Sequence, residues 1–193
     1  MNPGDVILVK GDNHNLLDLG VMHASHSVFS HTAIAVSATD VVEATYPKVR
    51  RTEFYWNDAN SAIVVPPYSS QENVDKAVNM ALSFVGEHYD VVGLADMLMF
   101  ELSTGLTRDA VVAVLQRWSK LPVLWCSEAV ARCLVAAALK FPNLTYITTP
   151  GDIANFLNCR VPALLPADVS PLQWSTIQSP TFRLHYNQAL AGR

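Results

Sequence analysis

The sequence has no run of basic residues, no CxxC pair, no low-complexity tract or internal repeat, and no apolar stretch as long as a membrane span. Each absence excludes something. Only 16% of residues are charged and the net charge is -4, so no nucleic-acid surface is expected. The three cysteines, Cys126, Cys133 and Cys159, are odd in number. A disulfide framework or a cysteine-rich zinc site is therefore not expected. Cys126 and Cys133 on one helix would stand about 10 Å apart, beyond disulfide reach. Free thiols suit a reducing compartment. The most apolar windows, Val91–Leu102 and Val130–Leu139, fall short of the roughly 20 residues that a spanning helix needs. The opening MNPGDVILVKGDN has no basic region ahead of a long apolar stretch, so no secretory signal and a cytoplasmic location are expected. What is present is bulk: half of the 193 residues are hydrophobic, enough for one domain with a real core.

Strand-like segments come first along the chain. GDVILVKG (Gly4–Gly11) is a short apolar run between glycines. Asn13–Ser30 lacks clear periodicity and reads as a loop, with at most a helical turn at Leu16–Leu19. HTAIAV (His31–Val36), SATD and VVEATY (Val41–Tyr46) read as a hairpin rich in β-formers. VRRTEFY (Val49–Tyr55) alternates, and SAIVVPP (Ser61–Pro67) is closed by two prolines. Helical segments follow. Ser69 and Glu72 have capping-box spacing. Val74, Ala77, Val78, Ala81, Leu82 and Val85 then recur at helical intervals up to Gly86. Gly93–Leu102 and Thr107–Ser119 read as two further helices. CSEAVARCLVAAALKF is the most helix-prone stretch, closed by Phe141-Pro142. PGDIANFL after Thr149 is a short helix with Pro150 in its first turn. The tail, Val161–Arg193, is proline-rich and irregular, with TFRLHY as its one strand-like segment.

Cys126 raises the question of chemistry, because it stands where a helix is about to begin. First-turn N–H groups and the helix dipole favour a thiolate there. A nucleophile also needs a base, and the base an orienting group. Among six histidines, His31 opens a strand, and Glu43 lies twelve residues on in the next strand. If paired residues sum to an even number, for example 33 with 43, His31 and Glu43 share a face as diagonal neighbours. A slip of one residue would separate them. Glu43 is also an odd charge to find between Val42 and Ala44.

Plainer readings compete with this one. A lone cysteine in an apolar helix is usually a small core residue, and that reading stands for Cys133. Glu128 reads as a first-turn carboxylate favoured by the helix dipole, since a second anion beside a thiolate would oppose it. His23, His26 and His31, in HASHSVFSH, are three imidazoles that a zinc ion could use. That spacing matches no mechanistic signature, and no acid is placed as its base. No metal is assigned.

Gly4-Asp5 before an apolar strand, HTAIAV, VVEATY, YDVVGL, WCSEAV and TPGDIA occur in one order. That ordered set resembles the circularly permuted papain-like cysteine hydrolases. These are relatives of the NlpC-type cell-wall endopeptidases, with YiiX-like and lecithin retinol acyltransferase-like groups among them. The strands precede the cysteine helix here, as in the permuted group. The resemblance spans roughly Asn2–Phe156. It implies Cys126 as nucleophile, His31 as general base, Glu43 as the group that orients the imidazole, and Tyr89 as a residue lining the oxyanion or substrate site. Trp125 departs from it, standing where tyrosine is common. The apolar segment Gly93–Lys120 lies outside the shared core.

The expectation is an α+β fold of the permuted papain-like (NlpC-type) kind. A single domain over residues 1–193 would pack an antiparallel sheet on a helix that bears the nucleophilic cysteine at its N-terminus. A helical insertion would fill 93–120, and an irregular tail 161–193. The expected activity is thiol-dependent hydrolysis of an amide or peptide, cell-wall-type peptides included, without a metal or organic cofactor. Two alternatives stand beside it. One is a lipid-directed acyltransferase or thioesterase using Gly93–Lys120 as a groove wall. The other is a non-catalytic module that binds a small ligand on the same fold.

Overall fold

The computed structural model describes residues 1–12, 15–54, 61–89, 123–141 and 148–159. The expected helices at 93–120 and the tail at 161–193 lie outside the described residues. Five strands, β1 (Val6–Lys10), β2 (Phe29–Ala35), β3 (Asp40–Ala44), β4 (Val49–Glu53) and β5 (Ser61–Val64), form one antiparallel sheet in the order β4-β3-β2-β1-β5. Among the described residues, four helices accompany it: α1 (Leu16–Ala24), α2 (Gln71–Ser83), α3 (Cys126–Ala136) and α4 (Pro150–Phe156). A short parallel pair, β6 (His88–Tyr89) and β7 (Val123–Leu124), forms a second sheet that adjoins the start of β4, where His88 bridges Lys48 and the Tyr89 N–H donates to the Pro47 carbonyl. The class is mixed α+β. Among the described residues, no helix is long and apolar enough to cross a membrane.

The three inner strands, β1, β2 and β3, have apolar side chains on both faces because both faces are covered. Val6, Leu8, Ile34, Val42 and Ala44 pack against Ala77, Ala81 and Phe84 of the α2 segment, Ala129, Val130 and Leu134 of α3, and Ile153 of α4. On the other face, Ile7, Ala33, Ala35 and Val41 form a smaller cluster with Met1, Val9 and Phe54. This double burial is why VILV and TAIAV read as continuous apolar runs rather than alternations.

Three local expectations need correction. Residues 16–24 form a helix of nine residues, not a loop with one turn. Gly20 weakens its helical pattern, but burial of Val21, Met22 and Ala24 overrides that cost. The N-cap of α2 is Ser70, whose side chain accepts from the Asn73 N–H, one residue later than the Ser69–Glu72 box. Glu72 pairs instead with Lys76, and Leu82 and Val85 of the expected stripe are exposed. Finally, α3 stops at Ala136, ahead of Phe141-Pro142. Ala138 takes a left-handed conformation (φ 61°) and the Leu139 N–H returns to the Leu134 carbonyl. The turn brings Phe141 onto Phe156 of α4, with ring centroids 4.7 Å apart. That packing outweighs the helix propensity of the alanines.

Candidate active site

β2 and β3 pair with Ala33 opposite Glu43 and Ile34 opposite Val42. This is the even register, so His31 and Glu43 are diagonal neighbours on one face. Their side chains meet, with His31 Nε2 3.0 Å from Glu43 Oε2. β2 reaches this point through an irregularity. Val9 pairs with His31 but Lys10 with Phe29, leaving Ser30 as the extra residue. Such a bulge bends a strand and re-aims the side chains beside it.

α3 begins at Cys126, after the N-cap Trp125, which supplies no side-chain hydrogen bond. The first-turn N–H groups are thus not taken up by the cap. The backbone N–H groups of Ser127 and Thr32 donate to the Cys126 sulfur, and His31 is hydrogen-bonded to it. With Nε2 on Glu43, the other ring nitrogen, Nδ1, is left for the sulfur. His31 therefore stands between thiol and carboxylate, an arrangement that the sequence permits without compelling it.

The charges respond to this arrangement. Burial opposes ionisation of Cys126, but the His31 charge and hydrogen bond and the two backbone donors outweigh it, and its pKa falls below the usual value. Burial likewise disfavours the His31 cation. The charge and hydrogen bond of Cys126 and those of Glu43 overcome it and raise His31 to about 10. The hydrogen bond from His31 leads the causes that take Glu43 down to about 2 against its burial, with Arg50 adding to it. The three groups favour a thiolate, an imidazolium and a carboxylate together. Cys133 contrasts with this: it is buried two turns along α3, and burial alone pushes its thiol up. All three cysteines are free.

Cys126 lines an open cleft together with Val21, Ser30, Tyr89, Trp125, Ser127 and Thr148–Pro150. Tyr89 is brought there by the parallel pair, in which it sits opposite Leu124, two residues before Cys126. The Thr148–Pro150 wall is fixed by α4. Thr149 and Asp152 form a reciprocal capping box, and Ser127 Oγ donates to the Thr148 carbonyl. Glu128 turns away from catalysis: it is buried and paired with Arg132 one turn on, Nη2 to Oε1 at 2.6 Å. His23 and His26 lie with ring centroids 6.3 Å apart. Among the described residues, no group of three or more His, Cys, Asp or Glu side chains is placed to hold a metal.

Sequence reasoning missed two parts of the site. Arg50 and Thr52 of β4 bind the far oxygen of Glu43. The relevant signal was the polar alternation of VRRTE, but its register on β3 could not be read. Among the described residues, Thr32 Oγ1 and Trp125 Nε1 are buried and find no hydrogen-bond partner. Such groups are uncommon in folded proteins. No protein-family model matches the chain, and no curated protein matches it.

Proposed function

We propose that the protein is a thiol-dependent hydrolase, an amidase or peptidase, built on a permuted papain-like fold. One observation carries the reading: His31 stands between Cys126 and Glu43 in hydrogen-bonding contact with both. The order of elements supports the fold, since all five strands of the sheet precede the helix that starts at Cys126. The resemblance in the ordered motifs points the same way.

The thiolate attacks the carbonyl carbon of an amide or peptide, forming the C–S bond. First-turn N–H groups of α3, with Tyr89 at the cleft wall, meet the negative oxygen that results. The His31 imidazolium gives its proton to the leaving nitrogen as the C–N bond breaks. A water molecule then attacks the thioester carbon and loses a proton to His31, and Cys126 leaves as thiolate. Glu43 keeps the ring oriented and its positive form stable, as the carboxylate does in serine triads.

Thiol alkylation near pH 6, followed peptide by peptide, tests this in wild type and in His31→Ala. Ordinary thiols, with pKa about 8.5, react slowly there. Cys126 is expected to label fast and selectively, and to lose that rate without His31. Equal, slow labelling of Cys126, Cys133 and Cys159 in the folded protein would remove the basis of the proposal.

A further inference from the structure

Glu43 has two carboxylate oxygens with different partners. Oε2 faces His31 at 3.0 Å. Oε1 accepts from Arg50 Nε at 3.0 Å and from Thr52 Oγ1 at 3.1 Å, and Arg50 Nη2 stands 2.9 Å away as its ion-pair partner. The grip follows from strand pairing. Arg50 lies directly opposite Glu43, and Thr52 lies opposite Val41, two residues along on the same face. Two hydrogen bonds and an ion pair on one oxygen leave the carboxylate little freedom to rotate, so the other oxygen stays on the imidazole.

We infer that Arg50 and Thr52 are positioning residues that clamp Oε1 of Glu43 and thereby hold Oε2 against His31. This rests on the reading of His31 and Glu43 as members of the active site. The charged or titratable side chains that bear on the pair come from three elements: Cys126 of α3, Glu43 of β3 and Arg50 of β4. From β1, Val9 lies opposite His31 and carries no charge. The two clamps differ in kind. The Arg50 side chain is 57% exposed, so its attraction weakens with added salt, whereas the Thr52 hydroxyl is neutral and insensitive to it.

The test is the titration of the His31 ring, followed by NMR of its nitrogens in a Cys126→Ala background, where no thiolate acts on it. Thr52→Val removes the hydroxyl at nearly constant volume. Arg50→Lys keeps the charge but loses the two-pronged contact. Each is expected to lower the His31 pKa by about half a unit to one unit, the size of one hydrogen bond. Neither is expected to lower it further when Glu43 is replaced by Ala, or by Gln should the Ala variant not fold. An unchanged His31 titration with Glu43 present would overturn the clamp, as would an equal fall with Glu43 absent. Alkylation of the parent chain separates this from the hydrolase proposal. An inert Cys126 beside a clamped His31 defeats the hydrolase and leaves the clamp standing, while an activated Cys126 beside a His31 indifferent to both substitutions defeats the clamp alone.

Discussion

Cys126 and His31 are expected to titrate as a pair. With Cys126 lowered and His31 raised to about 10, the two shifts open a pH range in which thiolate and imidazolium coexist. Under the proposed mechanism turnover of an amide needs both charges, so its pH profile should be bell-shaped. The alkaline limb lies near pH 10, where His31 loses its proton; the acid limb lies below the usual thiol range, where Cys126 regains one. A profile rising with a single pKa near 8.5 would show an unpaired thiol. Glu43 makes a separate contribution to stability. Its pKa is lowered from 4.5 to about 2, so this contribution is present above pH 4.5 and is lost as pH falls through 2. Glu43→Gln should cost about 3 kcal/mol at neutral pH by this linkage, and the gap from wild type should close between pH 4.5 and 2. Urea unfolding at several pH values measures the gap, and a constant gap would contradict the linkage. The His31–Glu43 meeting was legible in the sequence as a matter of parity, because side chains alternate along a hairpin. Arg50 and Thr52 were not legible. Their partner depends on how β4 returns along β3, and the turn through Tyr46 and Pro47 does not announce that register.

The helices were legible in proportion to how local their causes are. α4 was plain, because Thr149, Pro150 and Asp152 form its start within four residues. Thr149→Ala should cost about 1 kcal/mol, read as a lower urea midpoint at unchanged slope. α1 was missed because its helicity comes from burial against the sheet rather than from its own sequence. Gly151 shows the same limit at one position. A Cβ there would collide with the backbone carbonyl of Ser25 and crowd the side chain of Ser27, in the turn between α1 and β2. Nothing in PGDIANF foretells that approach. Gly151→Ala should therefore cost more than its gain in helix propensity, about 1–3 kcal/mol net, by overpacking. A midpoint equal to or above wild type would show that the turn can yield.

The molecule as a whole is organised around β1 and β2, which have neighbours on both sides and cover on both faces. Val6, Ile7 and Leu8 are completely buried, while β4 and β5 stand at the margins of the sheet among the described residues. Amide exchange should be slowest at Ile7, Leu8 and Ile34, and faster along β4 and β5, because marginal strands open without unfolding the core. Equal protection of β5 and β1 would contradict this ordering. The mixed class was readable from a strand-rich first third followed by strongly helical segments, although α1 interrupts the strands. The spatial order of strands was not, since β1 takes partners from both β2 and the distant β5.

That chain order has a consequence for synthesis. A ribosome delivers the N-terminal part first. Every strand of the main sheet, with His31 and Glu43 in it, is made before the helix that begins at Cys126. In the nascent chain the thiol has no imidazole beside it and stays protonated like any other. Under the proposed mechanism its activation waits for the docking of α3 beside His31, so a reactive thiol would be the last product of folding rather than of synthesis.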